Sequence, residues 1–336
     1  VDHGITALAT ALGDPVAVRD VVADYTDDVE RVLGYGYRTV HRAPDDVGVT
    51  DLAVRAGGRA LDLAGVRPHE VDLLVLALTD LADYLYWDAA AATAHRLGLR
   101  RAEAVLVDQG CAGGVTALDT TAGRFATHPD YTTALVVGAC RVVEPYWNRL
   151  GTHSLLFSDG AAAAVAVRGA PTLRWRACHT ESDGRYADFF RMDLGGGAHP
   201  FTPGGPAPEV RDAWDVMDHF GYDADRFTGF AEEVDDRTAR AVHRACARAG
   251  CAEEDLARLV LLNDNPKVLR AQAELIGVPV ERTNLALAAE HGHLGAADHL
   301  FGLADLWSSG ALNPGDLVAL AANGRGMHWS CAVLQA

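Results

Sequence analysis

Lysine is almost missing from this chain: Lys267 is the only one among 29 basic residues, and arginine supplies the rest. That skew reads as coding bias in a GC-rich genome and carries no mechanism. Positive charge is scarce as a whole. Against 46 acidic residues the net charge is -17, which argues against a broad surface for nucleic acid or anionic lipid and leaves room only for a local basic pocket. No uninterrupted run of about 18 apolar residues occurs, and no basic start leads into an apolar stretch, so neither a membrane span nor a leader is expected. The six cysteines stand singly, without a CxxC pair, and read as reduced thiols of a soluble, cytoplasmic protein. What the chain does have is 336 residues that are 49% apolar, enough for one large domain or two medium ones. Disorder and fibrous repeats are excluded.

Three apolar runs predict buried strands, covered on both faces: Val71 to Thr79, the segment AEAVLVDQG leading into Cys111, and TTALVVGAC ending at Cys140. Helical patterns cover Val49 to Ala64, Leu85 to Leu97 and Ala112 to Thr127, and Phe157 to Gly169 reads as a turn followed by a strand of small residues. Between Cys178 and Gly229 the pattern fades, and the glycine- and proline-rich stretch from Gly195 to Glu209 reads as a lid or as a plain surface loop. A second run of elements follows: a helix from Ala231 to Ala249, a strand from Ala257 to Asn265, a short helix from Pro266, a helix to Leu306 and a strand from Asp316 to Gly324. Repetition of the same order suggests a duplication fused into one unit, with residues 1–170 and 230–336 as the halves and 171–229 as a loop-rich excursion.

Chemistry concentrates at three places. Cys111 stands where a strand runs into a helix, and free amides at the positive end of that helix stabilise a thiolate. Gly113 and Gly114 keep its approach clear, although a small residue packed before a helix is the plainer alternative; Cys140 lacks such a helix start and reads as core. The segment EHGHLGAADHL carries His291, His293, Asp298 and His299. A nucleophilic thiol needs a base and the base an orienting acceptor, and His293 with Asp298 offers both; a metal site is the weaker alternative, and His291 and His299 have a bland reading as surface or core-edge residues. The third place is NGRGMHWSCAVL, where Gly324 and Gly326 make either a hairpin turn or an amide donor for an oxyanion.

The motifs DQGCAGG, VVGAC, FSDGAAAAV and GRGMHWSCAVL together resemble the thiolase-fold enzymes of the ketoacyl-ACP synthase III type over nearly the whole chain. That resemblance implies an α/β thiolase-like five-layer αβαβα fold with two βαβαβαββ halves, a homodimer, and an acyl group passed from CoA or acyl carrier protein to Cys111. It further implies an oxyanion hole from the amides of Cys111 and Gly326. Tyr37, Arg38 and Arg42 fall where such enzymes have residues near the cofactor entrance, and Arg149 is a second candidate for a phosphate contact. Tyr84, Tyr86 and Trp87 are candidates for the acyl or acceptor pocket, or core anchors at a helix start.

The chain departs from the decarboxylating members at two motifs. Their HQAN-like histidine is replaced by Leu262 or Asn263, depending on register, and His293 stands where the GNxSAAS-like asparagine belongs, with Asp298 at the later serine. A Cys111–His293–Asp298 set, with Asn263 as a possible auxiliary, resembles the non-decarboxylating acyltransferases of actinobacterial secondary metabolism. The expected function is transfer of a short acyl group, malonyl included, to a hydroxyl, amine or carrier thiol. Acyl-CoA or acyl carrier protein is then a substrate, and no permanently bound cofactor or metal is expected. A decarboxylating condensing enzyme and a catalytically silent partner of a synthase are the two rivals.

Overall fold

The computed structural model describes residues 2–152, 154–207, 211 and 213–336. Among these residues eleven strands form: β1 His3–Leu12, β2 Asp14–Ala17, β3 Thr39–Arg42, β4 Leu73–Leu78, β5 Glu103–Val107, β6 Thr133–Cys140, β7 Gly160–Arg168, β8 Arg174–Ser182, β9 Leu256–Leu261, β10 Leu317–Gly324 and β11 His328–Gln335. Nine of them run β5-β4-β6-β7-β1-β8-β11-β10-β9, and β2 pairs with β3 apart. A single pairing, Gly4 with Arg174, joins the two halves of this order.

The duplication suggested by the sequence is visible in the strand order. Counted within the first half, the order is third, second, fourth, fifth, first; the second half repeats the last four places as β9, β10, β11 and β8. Where its third strand belongs there is one parallel bridge, Leu259 to Thr283. Pairing directions agree as well, parallel at β4/β6 and β9/β10, antiparallel at β6/β7 and β10/β11.

Five layers result. Helices Val49–Ala64 and Ala89–Leu97 cover the outer face of the first half, and Ala224–Ala249 with Pro266–Ile276 covers the second. Between the halves lie Gly113–Thr127 and Asp298–Ser308, in contact with strands of both. Their apolar residues Val115, Leu118, Phe125, Leu300 and Leu303 share one core with Val75, Val136, Val260 and Leu320. Close packing between two sheets explains why the Gly113–Thr127 helix is rich in Gly, Ala and Thr.

Some expectations need correction. The segment ending at Val107 is the sheet's edge, with Leu106 41% exposed, whereas β4 and β6 are wholly buried. An apolar run alone does not tell an edge strand from a central one. The helix expected from Leu85 begins at Ala89, where Asp88 caps it by accepting from the Ala91 amide. Residues 171–229 are not all excursion: β8 belongs to the second half's sheet, and helices start at Ala213 and Ala224. The irregular part is confined to the chain between β8 and Ala213; Pro208 and Glu209, the end of the glycine-rich stretch, lie outside the described residues. Strands β1, β2 and β3 were not expected.

Candidate active site

Strand β5 ends at Val107, and Cys111 follows in a short 3-10 turn, Gly110–Ala112, immediately before the Gly113–Thr127 helix. The thiol thus stands at the positive end of a central helix, as the sequence suggested. Opposite it, the Gly295–Ala297 turn enters the Asp298–Ser308 helix. The turn approaches so closely that a side-chain carbon at Gly114 of the first helix, or at Gly138 of β6, would sit 2.1 or 2.2 Å from the Ala296 carbonyl oxygen. This close approach brings His293 to the thiol.

Cys111 Sγ lies 3.0 Å from His293 Nε2, and His293 Nδ1 lies 2.6 Å from Asp298 Oδ2. His293 and Asp298 are wholly buried, while Cys111 is partly exposed. Two backbone amides fix the carboxylate: Asn263 N–H donates to Oδ2 at 2.8 Å and Leu294 N–H to Oδ1 at 2.7 Å. The histidine is fixed in turn, since its amide donates to Leu156 O and its carbonyl accepts from Ser158 N–H, both at 2.8 Å. Phe157 stands edge-on to the imidazole, its centroid 4.6 Å away. Burial alone would push the His293 pKa down; the Asp298 carboxylate, followed by Cys111, reverses this and carries it well above the ordinary imidazole value. The site therefore favours an imidazolium that donates to both neighbours.

Asn263 reaches this set through its backbone only. Its side-chain amide donates to Gly292 O at 3.0 Å, and its oxygen accepts from Asn284 Nδ2 at 2.7 Å. Its carbonyl accepts from the Tyr37 hydroxyl at 2.9 Å, so Tyr37 is a buried brace for the site. Leu262 is buried. Sequence reasoning missed Asn284 and Phe157; the FSDG motif was the available signal for Phe157, and Asn284 gave none.

The Gly324–Gly326 turn lies against the nucleophile loop. A side-chain carbon at Gly324 would come within 2.4 Å of Gln109 O and 2.7 Å of Ala112 N, and Arg325 pairs with Asp108. The other two imidazoles of the EHGHLGAADHL segment do not gather into a metal site. His291 Nδ1 faces His41 Nε2 at 2.9 Å, and His299 Nε2 faces Ala321 O at 2.8 Å; among the described residues no group of three or more His, Cys, Asp or Glu is placed to hold a metal ion.

The matches to known proteins now bear on this geometry. Residues 107–184 match the model of 3-oxoacyl-[acyl-carrier-protein] synthase III, and residues 246–336 match that of its C-terminal part. A β-ketoacyl-[acyl-carrier-protein] synthase III of Thermosynechococcus vestitus is 31% identical over 302 residues, 89% of this chain and 87% of that one. The chain belongs to the 3-oxoacyl-[acyl-carrier-protein] synthase III family. A relative from Cereibacter sphaeroides is 30% identical over 96% of this chain and 94% of its own. Among solved structures, the synthase III of Pseudomonas aeruginosa PAO1 superposes with a TM-score of 0.80 at 26% identity, covering 100% of this chain and 98% of that one. ChlB3, described as an acyltransferase, superposes at 0.86 with 25% identity and the same coverage. This family member is therefore an enzyme with the thiolase-like fold.

One candidate is reassigned. Arg149 is only 2% exposed, and its guanidinium is spent on Asp159, 3.1 Å away and wholly buried, and on Glu144 at 2.6 Å. It also donates to the carbonyls of His41 and Phe157. The Asp159 of the FSDG motif is tied further by the amides of Ala43 and Val142. Such a buried arginine, paired with two carboxylates, is a structural clamp. Arg149→Ala leaves a buried carboxylate uncompensated, so unfolding in denaturant should show a loss of about 3–5 kcal/mol. A loss below about 1 kcal/mol would return Arg149 to the list of phosphate ligands.

Proposed function

We propose that the enzyme is a non-decarboxylating acyltransferase that carries a short acyl group on Cys111 and delivers it to a hydroxyl, amine or carrier thiol. The observation that carries this reading is the continuous hydrogen-bonded line from Cys111 through His293 to Asp298. In the first step the Cys111 thiolate attacks the donor thioester, the amides of Cys111 and Gly326 hold the oxyanion, and the departing thiol takes the His293 proton. Acylation removes the negative sulfur that helped hold His293 protonated, so its proton affinity falls. Neutral Nε2 can then take the proton of the incoming acceptor, whose oxygen or nitrogen attacks the acyl carbon and expels the thiolate. Asp298 keeps Nδ1 protonated throughout. Nothing in this cycle consumes a carboxylate, so a malonyl group survives it.

The donor is CoA- or carrier-bound, and the relatives' names, which give the acyl carrier protein, support the second. Arg38 and Arg42 are the arginines left to meet its phosphates, being 62% and 48% exposed, although Glu290 and Glu144 hold them in the free enzyme. A homodimer joined at the β5 edge is part of the proposal. Leu106 on that edge is exposed, as are Tyr84, Leu85 and Tyr86 on the loop before the Ala89–Leu97 helix. That exposure removes the reading of these aromatics as core anchors.

The synthases among the relatives favour a second reading, condensation with decarboxylation. It would need a second polar side chain beside the thiol, and the Asn263 side chain is already engaged elsewhere. Incubation with malonyl-CoA should give a malonyl thioester on Cys111 by intact-protein mass spectrometry, with no carbon dioxide released. Carbon dioxide and a ketone product would establish the condensing enzyme, and an unmodified Cys111 with every short donor would leave only a silent partner.

A further inference from the structure

The scarcity of positive charge makes one surface conspicuous. A cavity of about 430 Å³ opens between β8 and the Ala224–Ala249 helix, lined by His179, Glu181, Arg240, Arg244, Ala247 and Arg248. Past Arg174, the edge of β8 that faces β1 has no strand neighbour among the described residues. Arg240, Arg244 and Arg248 recur every fourth residue, so they rise about 6 Å apart along one helix face. Ala247 keeps the floor between them low.

Four carboxylates act on this group, Asp236 and Glu233 of the same helix among them through Arg240. Glu181 is satisfied by Arg240, 2.6 Å away, and Asp119 of the central helix lies behind Arg248, whose field it feels. Arg244 has no carboxylate within ion-pair distance among the described residues, although the chain has acidic groups to spare. Arg248 uses one N–H on the Cys178 carbonyl at 2.7 Å, leaving its other donors free. His179 adds a buried Nδ1 with no partner; burial, followed by Arg248, lowers its proton affinity, and Glu181, 3.8 Å from Nε2, works the other way.

We propose that this cavity binds a diphosphate group, held between the guanidinium forks of Arg244 and Arg248 with Arg240 at the rim. Adjacent arginines one helical turn apart match a ligand with several anionic oxygens on two linked centres better than they match a lone carboxylate. The cavity has the size of a small-molecule site. It goes beyond the acyl-transfer reading and does not depend on it.

Calorimetric titration with inorganic diphosphate at low ionic strength tests this. One saturable site is expected, weakened at least about tenfold in R244A/R248A and strengthened severalfold in E181Q, which removes the competing carboxylate. The R38A/R42A variant should bind as wild type, which separates this cavity from any donor entrance, and acyl loading of Cys111 should be unchanged in R244A/R248A. Running ADP beside diphosphate identifies the source: tighter ADP binding points to a nucleotide, equal or weaker binding to the free anion. No saturable binding at millimolar diphosphate overturns the proposal, as does an R244A/R248A variant that binds like wild type.

Discussion

His293→Ala should slow transfer from the acyl-enzyme by about 10⁴-fold or more, because the variant loses the only imidazole placed against Cys111 among the described residues and with it the base for the acceptor. The two half-reactions should suffer differently. Loading from a good thioester donor can proceed through whatever thiolate ionises at alkaline pH, so the acylated protein should still accumulate slowly. Delivery to a hydroxyl has no such detour, since an alcohol is not ionised there. Single-turnover measurement, with the acyl-enzyme formed first and the acceptor added second, separates the two. If delivery falls less than about tenfold while loading stops, His293 serves only to make the thiolate, and the base for the acceptor must be sought elsewhere.

The features legible in the sequence are those fixed by neighbours in the chain. Cys111 was placed correctly because an apolar run followed by paired glycines describes a strand-to-helix junction with local information alone. The five-residue spacing from His293 to Asp298 sufficed because a 3-10 turn and a helix start bring the two round to each other. Arg149 was misjudged because its fate depends on Asp159, which reaches it through a loop whose path no periodicity reveals. Asn263 was offered as an auxiliary of the Cys111–His293–Asp298 set, whereas partners from Gly292 and Asn284 claim its side chain. The edge position of β5 was hidden for a similar reason: order within a sheet is decided by strands far apart in sequence.

Asp298→Asn preserves shape and should nevertheless cost about 10³–10⁴-fold in turnover. The carboxylate accepts from the amides of Asn263 and Leu294 and from His293 Nδ1 at once. A carboxamide offers one accepting oxygen, so its NH₂ must meet either a backbone N–H or the imidazole. If it meets the imidazole, Nδ1 becomes the acceptor, the proton moves to Nε2, and the nitrogen beside Cys111 can no longer act as base. The charge matters as well as the tautomer. With Asp298 gone, burial dominates and lowers the His293 proton affinity that the carboxylate had raised. The sign for stability follows from linkage. In the wild type the raised folded pKa contributes stability that is fully present below the unfolded value near 6.5 and lost as pH rises through the folded pKa. The variant has the opposite slope, since a buried imidazole of lowered pKa resists protonation. The difference in melting temperature between the two proteins should therefore widen as pH falls from about 9 to about 6. A gap that stays constant over that range would mean that Asp298 does not raise the proton affinity of His293.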